Sequence, residues 1–183
     1  MRSKVGSQFV GRFTIVLAAA VFTVFAVGCG RPFDVKTAPG FVELDDQAPA
    51  YDYRATTPEG VVVSVRAIAN HDERGDLAFW TRAITLQLRD VSGYALLDTA
   101  DAKSSDGTLG KKLTFGHDED GKPYTYTITI YMAQGRLFIV EAGGTKAQMD
   151  RARASVTWME QQVRVRCGSI VAPVLASHTC NRW

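Results

Sequence analysis

Three cysteines and three histidines carry most of the covalent and ligand chemistry available to this 183-residue chain. Cys167 and Cys180 close a loop of 14 residues near the C-terminus. In an exported chain an even pair of thiols reads as a disulfide. Its worth is roughly 3 kcal/mol in the loop-entropy model, and it would pin the apolar tail Ile170 to Ala176 onto the body. A redox pair would want close spacing and a helix N-terminus, and the sequence offers neither. His178 stands near Cys180, but structural zinc needs four ligands at set spacing, and four cannot be assembled here. His71 adjoins Asp72 and Glu73, and His117 precedes Asp118 and Asp120. Imidazole and carboxylate are cation ligands. Asp118-x-Asp120-Gly121 is only a fragment of a calcium loop and lacks the late bidentate Glu. Both clusters read first as solvated turns, so no metal is assigned, and His117, Asp118 and Asp120 stand as the candidate ligands.

Cys29 carries different chemistry. It follows a fifteen-residue apolar run, Phe13 to Val27, and Arg2, Lys4 and Arg12 precede or open that run with no acid before Cys29. A basic head, a short apolar body and small residues at the exit are the parts of an export signal. A membrane-spanning helix needs about 20 apolar residues, so a retained N-terminal anchor is the lesser reading. Ala26-Val27-Gly28-Cys29 resembles the bacterial lipobox, with Ala26 where that motif usually has Leu. The resemblance implies cleavage before Cys29, acylation of its sulfur and amino group, and stable anchoring by several acyl chains. Gly30 in place of Asp after the cysteine implies, by the same resemblance, passage to the outer membrane. Residues 1–28 are thus expected to be a lipoprotein signal peptide.

The leader distorts the charge balance. The chain has 21 basic and 19 acidic side chains, and without Arg2, Lys4 and Arg12 the bases fall to 18, a net charge of −1. No Lys/Arg run or basic patch with interleaved aromatics remains, which argues against nucleic acid as a partner. Gly-x-Ser-x-Gly, Gly-x-x-x-x-Gly-Lys and His-Glu-x-x-His are all missing. Gly143-Gly144-Thr145 before a helix could hold an anion, though a close strand-to-helix turn explains it more simply. No cofactor is expected.

The elements that must carry these residues follow from periodicity. Residues 29–50 hold Pro32, Pro39, Gly40 and Pro49 and read as a tether; Phe33, Val35, Phe41, Val42 and Leu44 argue that part of it docks. Tyr51 to Ala55 and Val61 to Ala69 alternate as strands across a Pro58-containing turn. Asp76 is a good N-cap for a helix with Leu77, Trp80, Ile84, Leu88 and Val91 on one face, ended by Gly93. Tyr94 to Thr99, Leu109 to Phe115, Tyr124 to Met132 and Leu137 to Ala142 read as strands, with a loop from Gly116 to Pro123. A second helix opens at Gly143-Gly144-Thr145, with Met149, Ala152, Val156, Met159 and Val163 on its stripe and Glu160 off it. Trp80 and Trp158 are expected to pack in the core.

The order β-β-α-β-β-β-β-α predicts an α+β domain over residues 51–166, an antiparallel meander flanked by two helices. Residues 167–183 form a C-terminal tail. That order, with Tyr51 and Tyr53 in an early strand, the Pro58-x-Gly60 turn and Gly93-Tyr94 opening the third strand, resembles the PsbP/Mog1-like superfamily that includes DcrB-type lipoproteins. The resemblance implies a sheet between helices, and an accessory or binding role without a catalytic motif. The expectation is a lipid-anchored envelope protein, not an enzyme, serving an envelope partner; the alternative is a periplasmic receptor for a small molecule or metal.

Overall fold

The computed structural model describes residues 31–44, 50–71 and 75–165. Cys29, Cys167, His178 and Cys180, with Asp72 and Glu73, lie outside the described residues.

Alternation of β-branched and polar residues builds the first hairpin, β3 (Tyr53–Thr56) and β4 (Val62–Ala69). Gly60 at φ +98° turns the chain between them. Two short strands precede it, β1 (Phe33–Asp34) and β2 (Val42–Glu43). Asp76 then caps α1 (Leu77–Leu86) by accepting from the Phe79 amide at 2.7 Å. A wider π-turn over Gln87–Val91 prolongs α1 before Gly93, at φ +73°, ends it.

The meander strands run longer than their apolar alternation suggests. They are β5 (Ala95–Lys103), β6 (Leu109–Glu119), β7 (Lys122–Ala133) and β8 (Arg136–Thr145). The loop expected from Gly116 to Pro123 is instead strand on both sides of Asp120-Gly121, with His117 opposite Tyr124. Asp120 and Gly121 both take positive φ, 51° and 72°. That turn matches the strand twist and lets pairing continue to its edge. Gly143 and Gly144 likewise belong to β8, and the helix starts only after Thr145. Thr145 forms a capping box with Gln148 at the head of α2 (Lys146–Gln162). β9 (Arg164–Val165) follows and pairs with β1.

Seven of the described strands form one antiparallel sheet in the order β2-β3-β4-β8-β7-β6-β5. The body's sequence order, from β3 through α2, is the expected β-β-α-β-β-β-β-α. Each face of the sheet carries one helix. On one side α2 sets Met149, Val156 and Met159 against Val63, Val65, Tyr131, Phe138 and Val140. On the other α1 sets Leu77, Trp80, Ile84 and Leu88 against Leu113, Phe115, Ile128 and Ile130. Among the described residues no helix is long and apolar enough to cross a membrane.

Part of the tether belongs to this body. Phe33 is 1% exposed and meets the Phe138 ring edge-on, and Ala38 and Phe41 join the same core. Removing such apolar area from water outweighs the freedom a tether would keep. Phe33, Ala38 and Phe41, which precede residue 51, therefore belong to the core.

Candidate functional site

The polar chemistry of the described residues converges on two buried glutamates, one on each face of the sheet. Strand alternation places Glu141 on the α1 side of β8, opposite Ser64 and beside Arg66 of β4. Glu141 is 4% exposed. Its Oε1 accepts from Arg66 Nη2 at 2.6 Å and its Oε2 from Ser64 Oγ at 3.5 Å. The phenols of Tyr51 and Tyr126 lie in the field of this carboxylate. Burial, reinforced by the Glu141 charge, pushes both phenols above the ordinary tyrosine value, Tyr126 far above it. They therefore act near neutral pH as hydrogen-bond donors.

A cavity of about 250 Å³ opens at this centre, lined by Tyr51, Arg54, Val62, Ser64, Tyr126, Glu141 and Gly143. The guanidinium of Arg54 lies 5.8 Å from the Tyr51 ring centre and that of Arg66 at 6.0 Å. Arg66 is committed to Glu141, whereas Arg54 makes no ion pair among the described residues. The cavity thus offers a carboxylate paired with Arg66 and Ser64, an aromatic platform and, at its rim, a cation without an ion pair among the described residues. Such a set can bind a small polar or anionic group. Among the described residues that line it, no hydroxyl is paired with an imidazole, the arrangement that activates a nucleophile.

The second centre lies under α2. Glu160 is 3% exposed, although its position suggested the outer face of the helix. It turns inward because Lys112 Nζ at 2.6 Å and Thr127 Oγ1 at 3.0 Å meet it from the sheet. The Tyr131 hydroxyl donates to the Glu160 backbone carbonyl at 3.1 Å. Beside this pair a groove of about 420 Å³ runs between α2 and strands β5 to β7, edged by Lys112, Thr114, Thr125, Thr127, Lys146 and Arg153. Hydrogen bonds from Lys146 and Arg153 hold the Asp150 carboxyl below its ordinary value. Those two cations are therefore partnered already.

The candidate cation ligands do not come together. His117 stacks on the Tyr94 ring with centroids 4.7 Å apart, facing the α1 side. Asp118, one residue on, projects to the opposite face and is exposed, and Asp120 sits in the tight turn. Among the described residues no group of three or more His, Cys, Asp or Glu is arranged to hold a metal ion. His71 is exposed. Trp80 packs on the α1-side core and donates Nε1–H to Asn70 Oδ1 at 3.2 Å. Trp158 is 39% exposed, contrary to the core role expected of it. Sequence reasoning missed Glu141 and Glu160. The available signals were an acid inside the apolar strand Leu137 to Ala142, and an acid one residue after the core Met159.

No protein-family model matches the chain, and no curated protein matches it by sequence. Solved structures do match its fold. LpqN, involved in cell envelope biogenesis of Mycobacterium tuberculosis, superposes with a TM-score of 0.58 at 15% identity, over 75% of this chain and 86% of LpqN. Cyanobacterial PsbP (CyanoP) from Synechocystis sp. PCC 6803 superposes with a TM-score of 0.50 at 12% identity, over 74% and 87%. The chain has a PsbP-like α+β fold.

Proposed function

We propose that this chain is a lipoprotein of the bacterial cell envelope, acylated on Cys29, whose PsbP-like body has a non-catalytic accessory or binding role in an envelope complex. The carrying observation is Cys29 itself, set behind a basic head and an apolar run too short to be a comfortable span. The likeness of the body to LpqN, a protein involved in cell envelope biogenesis, supports the same address at the level of fold. On this reading the outer membrane is the destination, and the body faces the periplasm or the cell surface. Anchoring would act by position, raising the effective concentration of the body near other anchored partners. The pairing of Glu141 with Arg66 and Ser64 favours binding over proton transfer. Feeding labelled palmitate to cells making the native chain or Cys29→Ser tests the anchor. Label on the native chain alone is expected, and equal label on both removes the reading.

A second reading, an envelope receptor for a small molecule, draws on the Arg54 guanidinium over Tyr51 at the mouth of the Glu141 cavity. Acetate and phosphate titrations followed by NMR would shift signals around this cavity in the native chain and not in Arg54→Gln. Unchanged spectra would leave the accessory role alone.

A further inference from the structure

We propose that one end of the body is a docking face for the bilayer surface, and that both concavities open on the half of the sheet away from it. The inference rests on the anchoring reading above and deepens it.

Chain length supplies the first argument. Phe33 is fixed in the core, only four residues after Cys29. Four extended residues span at most about 14 Å. Headgroups take up roughly 5 Å of that on each leaflet, while a domain of this size has a radius of gyration near 14 Å. An acylated Cys29 therefore cannot let the body stand off, and the end that holds Phe33 must rest at the headgroups.

Strand register identifies that end. Phe33 pairs with Val165 just after α2, and the Val165 amide donates to Asp106 in the β5–β6 turn. The Ser105 amide donates to the Gln161 carbonyl in the last turn of α2. Across the sheet Lys103 faces Leu109, Met132 faces Leu137 and Leu137 faces Ile68. Asn70, which follows β4, bonds the Gly75 carbonyl and so brings the start of α1 to the same end. The opposite end carries the Gly60 and Asp120-Gly121 turns and Thr145. The cavity at Gly143 and the groove at Lys146 belong to that far half.

The residues exposed at the Phe33 end suit an interface with lipid. Among the described residues, four of the nine exposed large apolar side chains, Ile68, Phe79, Leu109 and Trp158, lie around it at 39–63% exposure. Lys103, Arg136 and Arg164 are exposed there, balanced by the exposed acids Asp34, Asp52 and Asp76. Aromatic and aliphatic tips among arginine and lysine are the composition that seats a protein surface in headgroups.

The test uses the purified exported chain in vesicles of phosphatidylcholine and phosphatidylglycerol, with and without brominated acyl chains. The mass of the first peptide from the same sample reports acylation. Bromine should quench tryptophan emission in the native chain and in Trp80→Phe. In a Trp183→Phe background, which removes the third tryptophan, Trp158→Phe should lose most of that quenching, and Leu109→Glu should weaken it. Acylated Cys29 without quenching of Trp158 overturns the docking face and leaves the anchor standing, whether the C-terminal tail, a second copy or solvent covers that end. Quenching without acylation removes the anchor and upholds the face, and neither acylation nor quenching removes both.

Discussion

Lys112→Met isolates the cost of leaving Glu160 buried without its cation. Lys112 Nζ stands 2.6 Å from Glu160 Oε2, and the carboxylate side chain is 4% exposed against 25% for the lysine. After the substitution only the Thr127 hydroxyl, at 3.0 Å, still donates to this carboxylate from the sheet. Breaking a buried pair from one side costs about 3–5 kcal/mol. Partial solvent access to Lys112 screens the wild-type pair and brings the expected loss to about 2–4 kcal/mol. For a domain of this size that is a fall of roughly 6–12 °C in Tm. Lys112→Met/Glu160→Met should recover most of the loss, less about 1 kcal/mol for the stranded Thr127 hydroxyl. Urea unfolding of the mature protein at pH 7 measures both variants. A single-variant loss below about 0.5 kcal/mol refutes the reasoning.

Phe33→Ala should destabilise the body by about 3–5 kcal/mol, as loss of a core phenylalanine does; a loss near zero in urea unfolding would return residues 31–44 to a tether. Gly110→Ala puts a methyl group against the Ile130 carbonyl oxygen and 2.6 Å from the Tyr131 ring. It should cost about 1–3 kcal/mol by overpacking, visible as a lowered Tm. Thr145→Ala removes the capping box of α2 and should cost about 1 kcal/mol, most of which Thr145→Ser restores. Burial, aided by Glu141 for Tyr126 and by Glu160 and Asp106 for Tyr131, keeps both phenols protonated far above the ordinary value. Unfolded tyrosines ionise near 10, so stability should be lost as pH rises above about 10. Tyrosinate absorbance should then rise for these residues together with unfolding, and ionisation of Tyr126 in the still-folded protein would contradict its placement.

Much of this fold is legible because its elements obey one period each. Val63 and Val65, or Met149, Val156 and Met159, can be assigned to a buried face from spacing alone, and Asp76 and Gly93 mark the limits of the first helix by capping chemistry. The hairpin at Asp120-Gly121 is hidden from sequence for a physical reason. Polar residues from His117 to Asp120 look like loop, yet pairing needs only backbone groups and a turn whose positive φ angles Asp and Gly tolerate. The Glu141 centre was hidden for another reason. Arg66 and Glu141 are 75 residues apart, and their register depends on β4 pairing with β8, a choice no local pattern encodes. Glu160 was placed on the wet side of its helix because a lone acid there normally is wet; only Lys112 and Thr127, brought by the sheet, make burial tolerable.

The same register that hides these centres also sets where they point. The sheet is antiparallel throughout, so β4, β6 and β8 begin or end at the Phe33 end together with β5 and β7. α2 leaves the far end at Thr145 and returns to the Phe33 end at Gln162. Both buried glutamates therefore occupy fixed heights above the point where the chain enters the core. Arg54, a cation without an ion pair among the described residues, lies on β3 one strand in from the β2 edge, at the height of Ser64. A partner or small anion reaching Arg54 would approach from the side and top of an anchored body, never from beneath it. Lengthening the link between Cys29 and Phe33 by a dozen Gly/Ser residues should leave acetate binding at Arg54 unchanged while relaxing the vesicle contact of Trp158. If the insertion abolished anion binding instead, the cavity and the docking end would not be separate features, and the orientation argued from Phe33 would fail.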